Sequence, residues 1–158
     1  MELYQLMEAQ LESLMEGCRL PLPVLSNAAA LLWQSLPQIN WAGFYLRKED
    51  TLYLGPFQGK HACTVIPLGK GVCGTAALSG MVQLVEDVHL FPGHIACDSA
   101  SASEIVLPLK NADGYVLGVM DLDSPIRGRF DRTDAEGLQR LAEHIVRAAD
   151  WSSGLLGA

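Results

Sequence analysis

Apolar residues at the start of the chain recur at three- and four-residue steps: Leu3, Leu6, Met7, Leu11, Leu14 and Met15. That spacing collects them on one side of a helix, which Gly17 ends. A second helix is expected over residues 22–35, with Ala28, Ala29, Leu31, Leu32 and Leu36 as its packing face. Pro37 stops it, because proline cannot continue the backbone ladder. From Ile39 the texture becomes aromatic and β-branched. Residues 39–46 and 51–57, joined by the polar 47–50, read as a β-hairpin.

Residues 63–67 read as a third strand, and the Gly69-Lys70-Gly71 turn leads into a short helix over 72–78 that Gly80 closes. A short strand at 81–85 follows. Residues 86–103 have no usable period and include Pro92 and Gly93; a structureless stretch of that length inside a compact domain is usually functional or mobile. Residues 104–109 and 115–122 form a second hairpin around Asn111-Ala112-Asp113-Gly114, whose Asp-Gly supplies the turn. The last helix spans about 131–149, with capping groups around Asp131 and a stripe of Leu138, Leu141, Ile145 and Ala148. Hairpins dominate and there is no βαβ alternation, so the expectation is an α+β fold: a six-stranded antiparallel sheet with helices on one face. The chain divides into N-terminal helices (2–36), a sheet with its loop (39–123) and a C-terminal helix, within one domain.

Composition narrows the functional classes. Eleven Lys and Arg against eighteen Asp and Glu give a net charge of −7, which repels polyphosphates and anionic headgroups and argues against nucleic-acid or membrane-surface binding. The longest apolar run, residues 28–33, is far short of the roughly 20 residues that cross a bilayer, and the N-terminus has no basic start or continuous apolar centre of a signal peptide. A cytoplasmic location is expected. In that reducing compartment the four cysteines, Cys18, Cys63, Cys73 and Cys97, read as free, catalytic or metal-binding rather than as a permanent framework.

Cys73 opens the short helix, where unpaired N–H groups and the helix dipole would lower a thiol pKa; it reads equally well as a small buried residue. Cys97 lies in the long loop as His94-Ile95-Ala96-Cys97-Asp98, a setting for an exposed, reactive thiol. Cys63, on the third strand beside His61 and Thr64, reads alone as core. Cys18 follows a helix stop and has no polar company. His61, His89 and His94 make a metal site the natural competitor, but no CxxC pair exists to complete a zinc cage, so no metal or other cofactor is expected. Asp121 and Asp123 alternate onto the same side of their strand, as either a cation site or a solvated strand end, and Glu104 opens the strand before it. Trp41 and Tyr45, four apart, share a face as pocket wall or as core.

Taken together, Asn40-Trp41-Ala42-Gly43-Phe44-Tyr45, Leu54-Gly55-Pro56-Phe57-Gln58-Gly59-Lys60, Gly69-Lys70-Gly71-Val72-Cys73-Gly74-Thr75-Ala76, Gly93-His94-Ile95-Ala96-Cys97-Asp98, Ser103-Glu104-Ile105-Val106-Leu107-Pro108-Leu109 and Asp121-Leu122-Asp123-Ser124 resemble the free methionine-(R)-sulfoxide reductases, which are GAF-domain enzymes. The resemblance covers about residues 28–147 and includes three of the cysteines. It implies a GAF-like fold, commonly dimeric, and reduction of free methionine (R)-sulfoxide by a thiol that thioredoxin recycles. It further implies Cys97 as attacking thiol and Cys63 as its disulfide partner, with Cys73, matching the remaining family cysteine, also among the catalytic residues. Glu104, Asp121 and Asp123 then resemble the substrate-binding carboxylates, Trp41 and Tyr45 line the pocket, and Glu104 is the candidate proton donor. The alternatives are a GAF module that binds a small molecule without turnover, or a redox sensor whose disulfide changes a partner surface. No output domain or coiled-coil linker is expected within the 158 residues.

Overall fold

A computed structural model of the chain describes residues 2–94, 99–152 and 154. Two helices, α1 (Glu2–Leu14) and α2 (Pro21–Ser35), precede strands β1 (Trp41–Lys48), β2 (Thr51–Gly59) and β3 (Val65–Pro67). Then come α3 (Gly71–Ser79), β4 (Gln83–Val85), a single 3-10 turn (Val88–Leu90), β5 (Ser103–Lys110), β6 (Val116–Ser124) and α4 (Arg132–Ala148). The strands form one antiparallel sheet in the order β3-β2-β1-β6-β5-β4.

Alternation along the strands sorts side chains to two faces. Ala42, Phe44 and Leu46 of β1, Ile105, Leu107 and Leu109 of β5, and Met120 and Leu122 of β6 face α1, α2 and α4 and form the larger core. The helices are held there by local chemistry as well as by burial. Asp131 and Asp134 make a reciprocal capping box at the start of α4, each carboxylate accepting from the other's backbone N–H at 2.9 Å. The Tyr4 hydroxyl of α1 donates to Asp134 Oδ1 at 2.6 Å, and its ring lies where a Cβ on Gly137 would stand, so only glycine lets α1 and α4 approach this closely. The β5–β6 turn rests on Asn111, whose Oδ1 accepts from the N–H groups of Asp113 and Tyr115, both at 3.0 Å.

Two expectations need correction. The helices do not share one face: α3 packs on the opposite side, where Val72, Cys73, Ala76 and Ala77 join Trp41, Tyr45, Leu52, Ile66, Val106, Val116 and Val119 in a second, smaller core. Its small side chains, buried almost all round, produce no amphipathic stripe from which a face could be read. Cys63 is not on a strand either. Residues 61–63 are irregular and β3 begins only at Val65.

Candidate active site

The register of the sheet assembles the site. Asp123 of β6 pairs with Trp41 of β1 on one side and with Glu104 of β5 on the other, making a row across three strands. In the next row Asp121 pairs with Gly43 and Val106. Each of the three acids therefore points to the α3 side of the sheet, and each lines a small cavity of about 40 Å³ that opens to solvent.

Aromatic groups form one wall. Trp41 stacks on Tyr45 with centroids 5.9 Å apart and on Phe57 at 5.3 Å. Phe57 pairs with Gly43 across the β1–β2 ladder, and a Cβ at Gly43 would collide with the Phe57 side chain, so the glycine makes room for the stack. The polar ends of both pocket aromatics hold neighbouring chain. Trp41 Nε1 donates to the Lys60 carbonyl at 3.1 Å and the Tyr45 hydroxyl to the Cys63 carbonyl at 3.0 Å. Tyr45 thereby ties the irregular segment carrying Cys63 to the pocket wall.

Cys63 is half-buried and disulfide-bonded, whereas Cys18 and Cys73 are free. Cys97 and Asp98 lie outside the described residues. Cys73 lines the cavity from the first turn of α3, and its thiol donates to Asp121 Oδ2 across 3.3 Å. Cys18 sits in the α1–α2 connection, its N–H bonded to the Met15 carbonyl, and is no part of the cavity lining.

Burial governs the site's electrostatics. Glu104 and Asp121 are only 6% and 5% exposed. Burial first, then the neighbouring charges of Asp121 and Asp123, push the Glu104 carboxyl well above the usual carboxylate range, and its hydrogen bonds to those two aspartates act in the same sense. Asp121 is also raised by burial, opposed by the hydrogen bonds it receives from Glu104 and Cys73. The set is thus best described as coupled carboxyls that together favour retaining a proton, with Glu104 raised furthest from the ordinary range. Tyr45 is held protonated by burial and by the same acids. Cys73 reverses the expectation of a lowered thiol: burial, followed by Asp121, Glu104 and Asp123, drives it well above its ordinary value, outweighing the helix end. His94 is lowered by burial and by His89.

Sequence spacing missed several lining groups. The exposed Lys70, the buried Ser101 and the first-turn backbone of α3 at Gly71 and Val72 all line the cavity. No side chain caps α3, whose first N–H groups have no intrahelical acceptor and belong to residues that line the cavity. Spacing also missed that Cys73, Glu104 and Asp121 bring ligand atoms within 4.8 Å of one another, because these residues come from three separate elements. This set can receive a cation. With the thiol and one carboxyl holding protons, a hydrogen-bonding cation such as an ammonium suits it better than a metal that must displace them.

The fold and the site define a GAF domain: the model of that family matches residues 13–149, and the chain belongs to it. Within it the chain belongs to the free methionine-R-sulfoxide reductase family. It is 52% identical over 146 residues to the Escherichia coli free methionine-R-sulfoxide reductase, covering 92% of this chain and 88% of that protein. It is 50% identical over 131 residues to the Saccharomyces cerevisiae enzyme of the same name, covering 78% and 73%. The crystal structure of free methionine-R-sulfoxide reductase from Neisseria meningitidis in complex with its substrate superposes with a TM-score of 0.87 at 43% identity, covering 92% of this chain and 87% of that one. Among the described residues no helix is long and apolar enough to cross a membrane.

Proposed function

We propose that the cavity reduces free methionine (R)-sulfoxide to methionine, with Cys97 as the attacking thiol, Cys63 as its disulfide partner and thioredoxin as the reductant. The observation that carries this reading is the coupled set of buried Glu104 and Asp121 with half-buried Asp123 beneath the Trp41–Tyr45 wall, next to a segment whose Cys63 is disulfide-bonded while Cys18 and Cys73 are free.

The chemistry follows from these groups. The Cys97 thiolate attacks the sulfoxide sulfur to form an S–S bond while the oxygen takes a proton; the hydroxyl then transfers to the cysteine sulfur as the S–O and S–S bonds to the methionine sulfur break, leaving a Cys97 sulfenic acid and methionine. The departing oxygen needs a proton, and Glu104, whose carboxyl burial pushes well above the usual carboxylate range, is the group in the pocket best placed to hold one. Cys63 then displaces the sulfenic hydroxyl as water and closes the disulfide, which thioredoxin reopens by exchange. Asp121 and Asp123 receive the α-ammonium, Trp41 and Tyr45 bracket the thioether chain, and the uncapped end of α3 suits the α-carboxylate. The same reading includes a homodimer, which the exposed Leu3, Leu6 and Leu14 of α1 and Leu20, Leu22 and Trp33 in and beside α2 would help to form, and a reducing cytoplasm that keeps thioredoxin available.

The deciding experiment is NADPH oxidation with thioredoxin, thioredoxin reductase and free methionine (R)-sulfoxide, where many turnovers per chain are expected. Cys97→Ser should form no methionine even with one equivalent of substrate, because a hydroxyl is a far weaker nucleophile than a thiolate. Cys63→Ser should release about one equivalent and then stall. Loss of the first equivalent in Cys63→Ser with survival in Cys97→Ser reverses the two roles, and binding without turnover in the unmodified protein favours the ligand-sensing alternative.

A further inference from the structure

Cys73 is a thiol inside the pocket that the reaction above does not use. It is 6% exposed and held by α3 against β6, where its S–H donates to Asp121 Oδ2 at 3.3 Å. The other oxygen, Asp121 Oδ1, is buried and has no hydrogen-bond partner among the described residues, so the bonds from Cys73 and Glu104 share Oδ2, although Asp121 lines the cavity. An orphaned buried carboxylate oxygen is costly unless something fills the place in front of it.

We propose that Cys73 is a positioning residue that takes no part in the redox cycle: its S–H occupies Asp121 Oδ2, fixes the carboxylate's rotation, and leaves Oδ1 as the oxygen that receives the substrate's α-ammonium. This rests on the functional reading above and gives the third cysteine a task in it. A thiol suits the task because it offers one weak donor and a large apolar atom. It satisfies one lone pair without adding a second charge or closing the cavity. The rival task is to resolve the sulfenic acid in place of Cys63. Resolution requires a thiolate. Burial and the three surrounding acids keep Cys73 protonated, and its side chain already points at Asp121.

The test compares Cys73→Ala and Cys73→Ser in the full chain, with three readouts. The first is calorimetric binding of L-methionine to the oxidised protein, since the product carries the ammonium but undergoes no chemistry. The second is kcat and KM for free and N-acetylated methionine (R)-sulfoxide. The third is mass spectrometry of disulfides trapped during turnover. Cys73→Ala should weaken methionine binding and raise KM by roughly 3- to 10-fold, the effect of one hydrogen bond. Its kcat should stay within about twofold and its preference for the free substrate should shrink by the same factor as binding. Cys73→Ser, which restores a donor, should recover most of the loss. A purely structural role would lower the melting temperature while leaving the free-to-acetylated ratio unchanged, and that pattern overturns the proposal. So does a fall in kcat at constant KM, or a trapped disulfide that contains Cys73. Should the unmodified protein neither bind methionine nor turn over, the functional reading itself fails, an outcome separate from these.

Discussion

The two faces of one sheet carry opposite chemistry on the same strands. On the α1–α2–α4 side, Phe44, Leu107, Met120 and Leu122 are at most 1% exposed and belong to the larger apolar cluster, where the buried polar groups are hydroxyls rather than carboxyls. On the α3 side, one residue along each strand, Glu104, Asp121 and Asp123 interrupt the apolar set, and a cavity lies beside them. Burying a carboxyl costs free energy where burying a methyl group contributes it, so the second face is held in place by the first. The sheet's alternation lets stability and chemistry be assigned to different residues of a single β-strand: Leu122 packs the core while Asp121 and Asp123 on either side of it enter the pocket.

The sharpest way to probe this contrast is Glu104→Gln. Glutamine has nearly the shape of the protonated acid but cannot deliver its proton, so kcat/KM should fall about 10²- to 10⁴-fold. Stability should move the other way at high pH. A carboxyl whose folded pKa is raised contributes stability that is full below its unfolded value and is lost as pH rises through the folded one, because the folded chain then binds more protons than the unfolded. Denaturant midpoints of the natural protein should therefore fall as pH rises above the ordinary carboxylate range and through the raised folded value. Glu104→Gln should flatten that slope, leaving the smaller contribution of the same sign from Asp121. Activity of the natural protein should decline over the same window as Glu104 loses its proton. A slope unchanged by Glu104→Gln would mean that the proton rests elsewhere.

The opposite face should answer in stability alone. Phe44→Ala removes a ring with no exposure from the larger core and should cost about 3–5 kcal/mol, a fall in melting temperature of roughly 6–20 °C for a chain of this size. Below that melting temperature KM should remain near the natural value, because Phe44 points away from the cavity that its neighbours Gly43 and Tyr45 adjoin. A KM change larger than the stability loss explains would show that the faces are not separable.

How much of this contrast was legible beforehand depended on which elements carried a period. Asp121 and Asp123, and Trp41 and Tyr45, were assignable to shared faces because strand alternation is a strict rule. The hairpin around Asn111 and the capping groups of α4 had local signals that the structure retains. That Glu104 could join Asp121 and Asp123 at one mouth was readable from its place at the start of the preceding strand; its direct pairing with Asp123 was not, because the hairpin register includes a shift between Leu109 and Lys110 that no local pattern announces. The side of the sheet chosen by α3 was hidden by its run of small residues. For Cys73 the helix position gave the wrong sign of pKa shift, because burial and three acids contributed by β5 and β6 outweigh a nine-residue helix. Lys70 and Ser101 carried no signal of their own; loops and turns bring them to the cavity.

A third measurement asks how much charge recognition on the α3 side contributes. Acetylating the substrate's nitrogen replaces an ammonium by a neutral amide opposite buried acids, and the loss of such charge-assisted hydrogen bonds is worth roughly 1.5–3 kcal/mol, about 10- to 150-fold in kcat/KM. Asp123→Asn should weaken use of the free substrate and narrow the gap between the two. Equal kcat/KM for free and acetylated substrates on the natural protein would remove the ammonium from the model of binding and leave the thiol chemistry intact.

The smallest expected effect lies at the helix cap behind the apolar face, and its pH dependence runs opposite to that of Glu104. Asp131 accepts the backbone N–H of Asp134, and this hydrogen bond is the main reason its pKa is lowered; the Asp134 side chain, the N–H of Thr133 and the Arg129 charge act in the same direction. A lowered carboxylate contributes stability that is present above its unfolded value and is lost as pH falls through the folded one. Asp131→Ala should therefore lower stability by about 0.5–2 kcal/mol at neutral pH, with kcat and KM unchanged, and the difference from the natural protein should fade below roughly pH 4. Thermal melts at pH 7 and pH 3 measure both parts. If the Asp131→Ala difference persists undiminished in acid, the cap acts through something other than its ionised carboxylate, and the reciprocal bond from the Asp131 N–H to Asp134 becomes the part of the box that holds α4 in place.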